Sequence, residues 1–282
     1  MEKNREPEML DRLSVETLKE ELGELCQKFD LQVKKETGST NDDLKQLAEA
    51  GETKDILLLC EKQTKGKGRR GRSFYSPEET GLYMSFLLHP SVEAKQAAML
   101  TTLAATAIAK AVENVTHKEA KIKWVNDIYV NQKKVCGILT ECSLSSKDYT
   151  LEYAIVGIGV NIYDPKEGFP EEIANKAGSV MGNSAKTENL KNKLAAGIVK
   201  YFMEYYETFP KADYIDEYKN RSFVIGKKVR ILPTGVEEPE DINACEQVFV
   251  LDIDEECGLL IEHENGEREI MNNGEISIRD FF

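Results

Sequence analysis

Histidine is scarce in this chain: 282 residues carry three, His89, His117 and His263. None has HxxxH-type spacing or stands beside a serine nucleophile, which argues against histidine-centred metal or triad chemistry, and no metal site is expected. Cysteine occurs six times, at 26, 60, 136, 142, 245 and 257, but never as a CxxC pair. The chain also opens on charged rather than apolar residues, so the simplest reading is a cytoplasmic protein with reduced thiols, neither secreted nor zinc-stapled. No apolar run approaches the ~20 residues that span a bilayer; the longest are Ile56 to Cys60 and Leu82 to Leu88. Positive charge is short as well, with 37 Lys and Arg against 50 Asp and Glu, a net charge of -13. General nucleic-acid binding, which needs a cationic face to displace counterions, is therefore disfavoured, and any phosphate site must be a local exception.

What is present is enough apolar residue, 41%, for one sizeable core and a smaller one, so two folded units are expected. Leucines at 10, 13, 18, 22 and 25 suggest a short amphipathic helix within an N-terminal extension, residues 1–28. This is too short for a winged-helix module of about 60 residues and has no basic recognition helix. Residues 29–222 then alternate strand and helix signals. Strands are expected at Leu31 to Lys35, Asp55 to Glu61, Gly81 to Leu88, Lys121 to Trp124, Ile128 to Val130, Val135 to Glu141 and Tyr149 to Ile158. Two of them are joined across Asn131-Gln132-Lys133 in hairpin style. Helices are expected over Asp42 to Ala50, where the small polar residues from Thr37 onward can cap, over Val92 to Val115, Glu188 to Thr208 and Ala212 to Asn220. Pro165 to Ser184 reads as a long loop. Residues 223–282 change to short strands and turns, a small β-barrel in outline. The fold class is thus α/β (α+β), a mixed sheet with a small C-terminal barrel, and no internal repeat is evident.

The most informative run is Gly66-Lys67-Gly68-Arg69-Arg70-Gly71-Arg72. Its glycines allow close approach of main chain to a ligand, and its cations supply donors for a phosphate or carboxylate. It fits neither a Walker loop nor a dinucleotide GxGxxG, and by itself it is equally a solvated surface loop. Downstream stand Lys123-Trp124-Val125-Asn126-Asp127, then Lys134-Val135-Cys136-Gly137-Ile138-Leu139, then Gly157-Ile158-Gly159-Val160-Asn161. Gly38-Ser39-Thr40-Asn41 precedes them, and Gly274-Glu275-Ile276-Ser277-Ile278-Arg279 closes the chain.

Taken together and in this order, these segments resemble the biotin-protein ligase family, in a form without its N-terminal DNA-binding domain. The resemblance runs from about Leu31 to the C-terminus. It implies a catalytic domain of the biotin and lipoate ligase type and a C-terminal SH3-like barrel. It also implies an enzyme that activates biotin with ATP and Mg²⁺ to biotinoyl-adenylate, then passes biotin to a lysine of a biotin carboxyl carrier protein or domain. Ser39, Thr40, Asn41 and Gln63 match ring-binding positions; Gly66, Lys67, Gly68, Arg69, Lys134 and Gly137 match the rest of the biotin site. Arg69, Arg70, Arg72, Phe74, Asn126, Lys134 and Asn161 match ATP-binding positions. Arg69 and Lys134 would counter charge at the carboxylate and α-phosphate, and Asp127 would orient the attacking amine or accept its proton.

Bland alternatives stand beside several of these. Arg70 reads as well as an exposed side chain, Phe74 as core, and Asp127 as a turn cap. The sole tryptophan, Trp124, reads as packing. Lys67 replaces a frequent arginine with a point charge, and Val125 replaces a proline and restores a backbone N–H. Rival functions are a lipoate or octanoate ligase on the same fold, or a non-catalytic ligand- or nucleic-acid-binding module. Whether the chain pairs with itself is left open.

Overall fold

The computed structural model describes residues 11–145, 149–232 and 241–278. Leu10 and Arg279, which entered the sequence reading, lie outside them. The N-terminal helix is shorter than its leucine pattern predicts: α1 covers Val15–Leu22 and continues as a 3₁₀ turn, Gly23–Lys28. Ser14 sets its start by accepting a hydrogen bond from Thr17 N, and Gly23, at φ 59°, ends the regular turns.

Seven strands follow: β1 Asp30–Thr37, β2 Ile56–Gln63, β3 Gly81–Leu88, β4 Lys121–Lys123, β5 Asp127–Val130, β6 Lys133–Leu144 and β7 Leu151–Asn161. They form one sheet in the order β1-β2-β3-β7-β6-β5-β4. β1 and β2 are parallel and every other pair is antiparallel, giving the mixed sheet expected from the sequence. Strand alternation gives this sheet two unlike faces. Leu82, Met84, Phe86 and Leu88 of β3 and Val156, Ile158 and Val160 of β7 join the large core. On that side lie α3, Ala97–Thr116, and α5, Leu190–Tyr206. The intervening residues point the other way, where α2, Thr40–Glu49, covers a small cluster of Leu44, Ile56, Leu58, Leu87, Tyr153 and Ile155. Past the end of that cluster, this second face carries Ser85, Gly137, Gly157 and Gly159.

Helix boundaries shift for local reasons. α3 starts later than Val92 because Glu93 and Gln96 close a capping box over a 3₁₀ turn at Ala94–Gln96. α2 starts at Thr40, earlier than expected, and the Ser39 hydroxyl does not cap it. Instead Thr40 N donates to Gln63 Oε1 at 2.9 Å. The stretch read as an unbroken loop, Pro165 to Ser184, holds a one-turn helix α4, Glu171–Ala174, and lays Ala177 beside Lys134 as a parallel bridge.

After α6, Ile215–Arg221, come β8 Lys228–Ile231, β9 Gln247–Ile253, β10 Leu259–Glu262, β11 Arg268–Met271 and β12 Ile276–Ser277. These form a five-stranded antiparallel sheet, order β11-β10-β9-β8-β12. It docks on the larger unit through buried polar contacts: Trp124 Nε1 donates to Cys257 O at 2.9 Å, and Thr102 Oγ1 lies 2.9 Å from Cys257 Sγ. Trp124, 4% exposed, is thus a packing residue.

Candidate active site

Gly137 of β6 pairs with Gly159 of β7, and Gly157 of β7 lies between Ser85 of β3 and Leu139 of β6. This register puts three bare positions side by side and makes a trough in the face of the sheet. The absence of side chains is required: a β-carbon at Gly157 would collide with Asn41 Oδ1, and one at Gly159 would come within 2.5 Å of the Phe74 ring. The ring of Phe74 rests on Gly159 and Gly137, and its centroid lies 6.5 Å from that of Tyr83 in an edge-on arrangement.

At one end of the trough is a recess of about 20 Å³ lined by Ser39, Thr40, Asn41, Gln63, Lys67 and the glycine floor. Ser39, Thr40 and Asn41 are buried, and their neighbours form a dense hydrogen-bond network. Thr40 Oγ1 donates to Gln63 Oε1 at 3.1 Å, Gln63 Nε2 donates to Ser76 Oγ at 3.2 Å, and Ser76 Oγ donates to Phe74 O at 2.9 Å. Ser85 Oγ lies 2.7 Å from both Thr40 Oγ1 and Asn41 Oδ1. Such a recess suits a compact ligand with several donors and acceptors.

At the other end is a cavity of about 90 Å³ lined by Lys67, Gly68, Arg69, Arg72, Lys123, Asn126, Asp127, Lys134 and Glu275, with Phe74 and Gly137 at its junction with the recess. The basic loop reaches it by folding back on itself. Gly68 N donates to Arg72 O at 2.7 Å and Phe74 N to Gly66 O at 2.8 Å, while Arg70 turns the chain at φ 56°. Arg69 donates to Asn126 Oδ1 at 3.0 Å and to Gly274 O at 3.1 Å. Burial draws its pKa down against the pull of Asp127 and Glu275, but a guanidinium starts so high that it stays charged. Lys134 Nζ lies 2.6 Å from Asp127 Oδ1. Burial pushes the Asp127 carboxyl up, yet Lys134, Lys123 and Arg69 outweigh it and hold the group below the ordinary aspartate value. For Lys123, desolvation dominates and lowers the ammonium's pKa.

Of the expected site residues, two more in the cavity are already paired with carboxylates and three others stand outside both cavity and recess. Lys67 lines both cavities but is ion-paired with Asp42 at the start of α2. Arg72 makes a two-pronged pair with Glu275, at 2.6 and 2.9 Å, and Arg70 Nη1 approaches the same carboxylate at 3.5 Å. Arg70 faces a neighbouring groove with Ala97, Thr101 and Asn272, outside both cavities. Gly66 lies behind the loop against Phe74 O and Ser76. Asn161 gives its amide to Gly178 O at 3.0 Å and lines neither cavity. The peptide between Trp124 and Val125 is cis. Residues the sequence reading did not single out are Lys123, Ser76, Ser85, Glu141 and Glu275. Lys123 stood in a quoted motif, and Glu275 in the quoted C-terminal segment. Ser85 carried a signal too, as the one serine in a strand otherwise built of apolar and aromatic residues and a glycine. Among the described residues, no group of three or more His, Cys, Asp or Glu could hold a metal ion, and no helix is long and apolar enough to cross a membrane.

Comparison with known proteins agrees with this geometry. The biotin/lipoate A/B protein ligase family matches residues 33–161, the span that holds the glycine trough and the basic loop. The chain is 32% identical over 169 residues to the bifunctional ligase/repressor BirA of Bacillus spizizenii, covering 60% of this chain and 50% of that protein. It is 28% identical over 214 residues to the biotin--[acetyl-CoA-carboxylase] ligase of Mycobacterium tuberculosis, covering 73% of this chain and 76% of that one. The chain thus spans half the length of the Bacillus relative. Among solved structures, the biotin protein ligase from Aquifex aeolicus in complex with biotin and ATP superimposes with a TM-score of 0.69 at 28% identity, over 88% of this chain and 97% of that chain. Trough, basic loop and the greater part of the mixed sheet thus lie in the span that is similar to the biotin/lipoate A/B protein ligase family.

Proposed function

We propose that this chain is an ATP-dependent biotin-protein ligase. The observation that carries the reading is that Lys67, Arg69, Arg72 and Lys134 share one cavity, which meets a polar recess across the glycine floor on which the Phe74 ring rests. A small carboxylic acid with a polar ring fits that plan, ring in the recess and carboxylate toward the cations. In the first half-reaction a biotin carboxylate oxygen bonds to the α-phosphorus of ATP and pyrophosphate leaves. Arg69 and Lys134 neutralise charge on the oxygens around that phosphorus, a role for fixed cations in a partly dry site. Mg²⁺ enters with the nucleotide and supplies charge neutralisation on its phosphates.

In the second half-reaction an amine of a carrier protein lysine bonds to the acyl carbon and AMP leaves. Asp127, ringed by three cations and held ionised, is a weak proton acceptor and a good counter-ion. Its role is to orient the incoming amine; here the reading narrows to one of the two roles expected for it. The partner is a biotin carboxyl carrier protein or domain, and the compartment is the cytoplasm. Residues 29–222 form the catalytic unit, 223–282 the C-terminal unit and 1–28 an extension; the seven-stranded and five-stranded sheets fall on either side of residue 222.

A lipoate or octanoate ligase needs a long apolar trough, whereas the recess is walled by Ser39, Thr40, Asn41 and Gln63. The test is to incubate the purified chain with ATP, Mg²⁺ and biotin, lipoate or octanoate in turn, and to look for acyl-AMP by mass spectrometry. Biotinoyl-AMP is expected; an adenylate of octanoate or lipoate alone would overturn the assignment.

A further inference from the structure

Glu141 lies on β6, two residues beyond Leu139 and on the same face of the sheet, at the back of the recess. Asn41 Nδ2 donates to Glu141 Oε2 at 2.7 Å and to Leu139 O at 3.3 Å. Both partners are acceptors with no proton to give, so they fix which end of the Asn41 amide is nitrogen. Its oxygen is thereby turned to the opposite side. Asn41 Oδ1 sits over the bare face of Gly157, within 2.7 Å of Ser85 Oγ. Ser85 has one proton and two acceptors at equal distance, Thr40 Oγ1 and Asn41 Oδ1. Thr40 gives its own proton to Gln63. When Ser85 donates to Thr40, the Asn41 oxygen is left as a buried acceptor facing the recess.

We infer that Glu141 is a positioning residue for substrate specificity: by locking the Asn41 amide, it presents a fixed acceptor to an N–H of a cyclic urea. This rests on the biotin reading above and adds a reason for it. An acid whose far end is hydrocarbon leaves one of the two acceptors that share the Ser85 proton without a donor, and burying it so is unfavourable.

Glu141→Gln keeps the size but offers an NH₂ as readily as a carbonyl, so the Asn41 amide can turn over. In biotin-dependent pyrophosphate exchange by the full chain, Glu141→Gln is expected to raise the KM for biotin about tenfold while kcat changes less than about twofold. Desthiobiotin, which keeps the urea, should suffer the same loss. Asn41→Asp alone sets two carboxylates against each other and should be far worse. Adding Glu141→Gln to it restores one donor facing one acceptor, and should recover roughly tenfold in kcat/KM over Asn41→Asp. A merely structural role for Glu141 gives no such recovery. An unchanged KM in Glu141→Gln, or a double variant no better than Asn41→Asp, overturns the inference while biotin exchange by the unmodified chain stands. Absence of exchange with biotin in the unmodified chain overturns both this inference and its parent.

Discussion

Asp127 illustrates how much of this site is electrostatics at single residues. Its carboxylate has Lys134 at 2.6 Å and feels Lys123 and Arg69 as well, so removing its charge leaves three cations without their common counter-ion. Because its folded pKa lies below 3.8, its ionisation adds stability that is fully present above the unfolded value and is lost as pH falls through the folded one. Asp127→Asn should therefore melt lower than the unmodified chain at neutral pH, with the gap closing as the pH drops below about 4. Thermal scans across pH measure this, and a gap independent of pH would contradict it. In kinetics, the same variant should slow carrier labelling at least as much as adenylation. For the cations, Arg69→Ala and Lys134→Ala are each expected to reduce biotin-dependent pyrophosphate exchange by at least about a hundredfold. Unchanged exchange in both variants would remove their assigned roles. These residues were legible in the sequence because glycine and charge in a fixed order are local features. Glu141 was not, since its partner Asn41 is 100 positions away.

At the level of elements, register does the work. A two-residue period puts Gly137, Gly157 and Gly159 on one face and Ile138, Ile158 and Val160 on the other, so one strand pair supplies both core and trough. Gly159→Ala would bring a methyl within 2.5 Å of the Phe74 ring, and Phe74 must then move off the floor. Expected is a fold of near-normal stability with the KM for biotin raised by about tenfold or more, read by exchange kinetics beside calorimetry. Gly157→Ala, which meets Asn41, should be the more damaging of the two. Strand pattern and the helix periods were readable because they depend on neighbours in sequence. Element ends were less so: Ser14, Gly23 and the Glu93–Gln96 box decide them through cap geometry.

The whole molecule adds what no single element has. Glu275, from the segment before β12, holds Arg72 in a two-pronged pair and reaches Arg70, while Gly274 O accepts from Arg69. The C-terminal sheet thereby sets the shape of a loop more than 200 residues away in sequence. Glu275→Ala is expected to raise the KM for ATP severalfold, about three to ten times, with less effect on that for biotin; equal effects on both would argue for general unfolding instead. On the opposite side, fully buried Lys191 pairs with Glu61 at 2.6 Å, and Glu61 also accepts from Leu13 N. Asp11 accepts from Lys191 N and from the Tyr163 hydroxyl. The segment before α1 is thus strapped to α5 and to the end of β2 that carries Gln63. Lys191→Met would leave Glu61 buried without its cation and should cost about 3–5 kcal/mol, measurable by urea denaturation.

By itself, the sequence determined the kinds of elements, the mixed sheet and the order of the motifs. These follow from residue type and short-range period. Tertiary structure alone decided which cations meet in one cavity and which are claimed by Glu275, how the Asn41 amide is turned, and that Phe74 lies on the trough floor. Those outcomes depend on docking distances and on competition among charges for the same partner, and neither is written in any local stretch of chain.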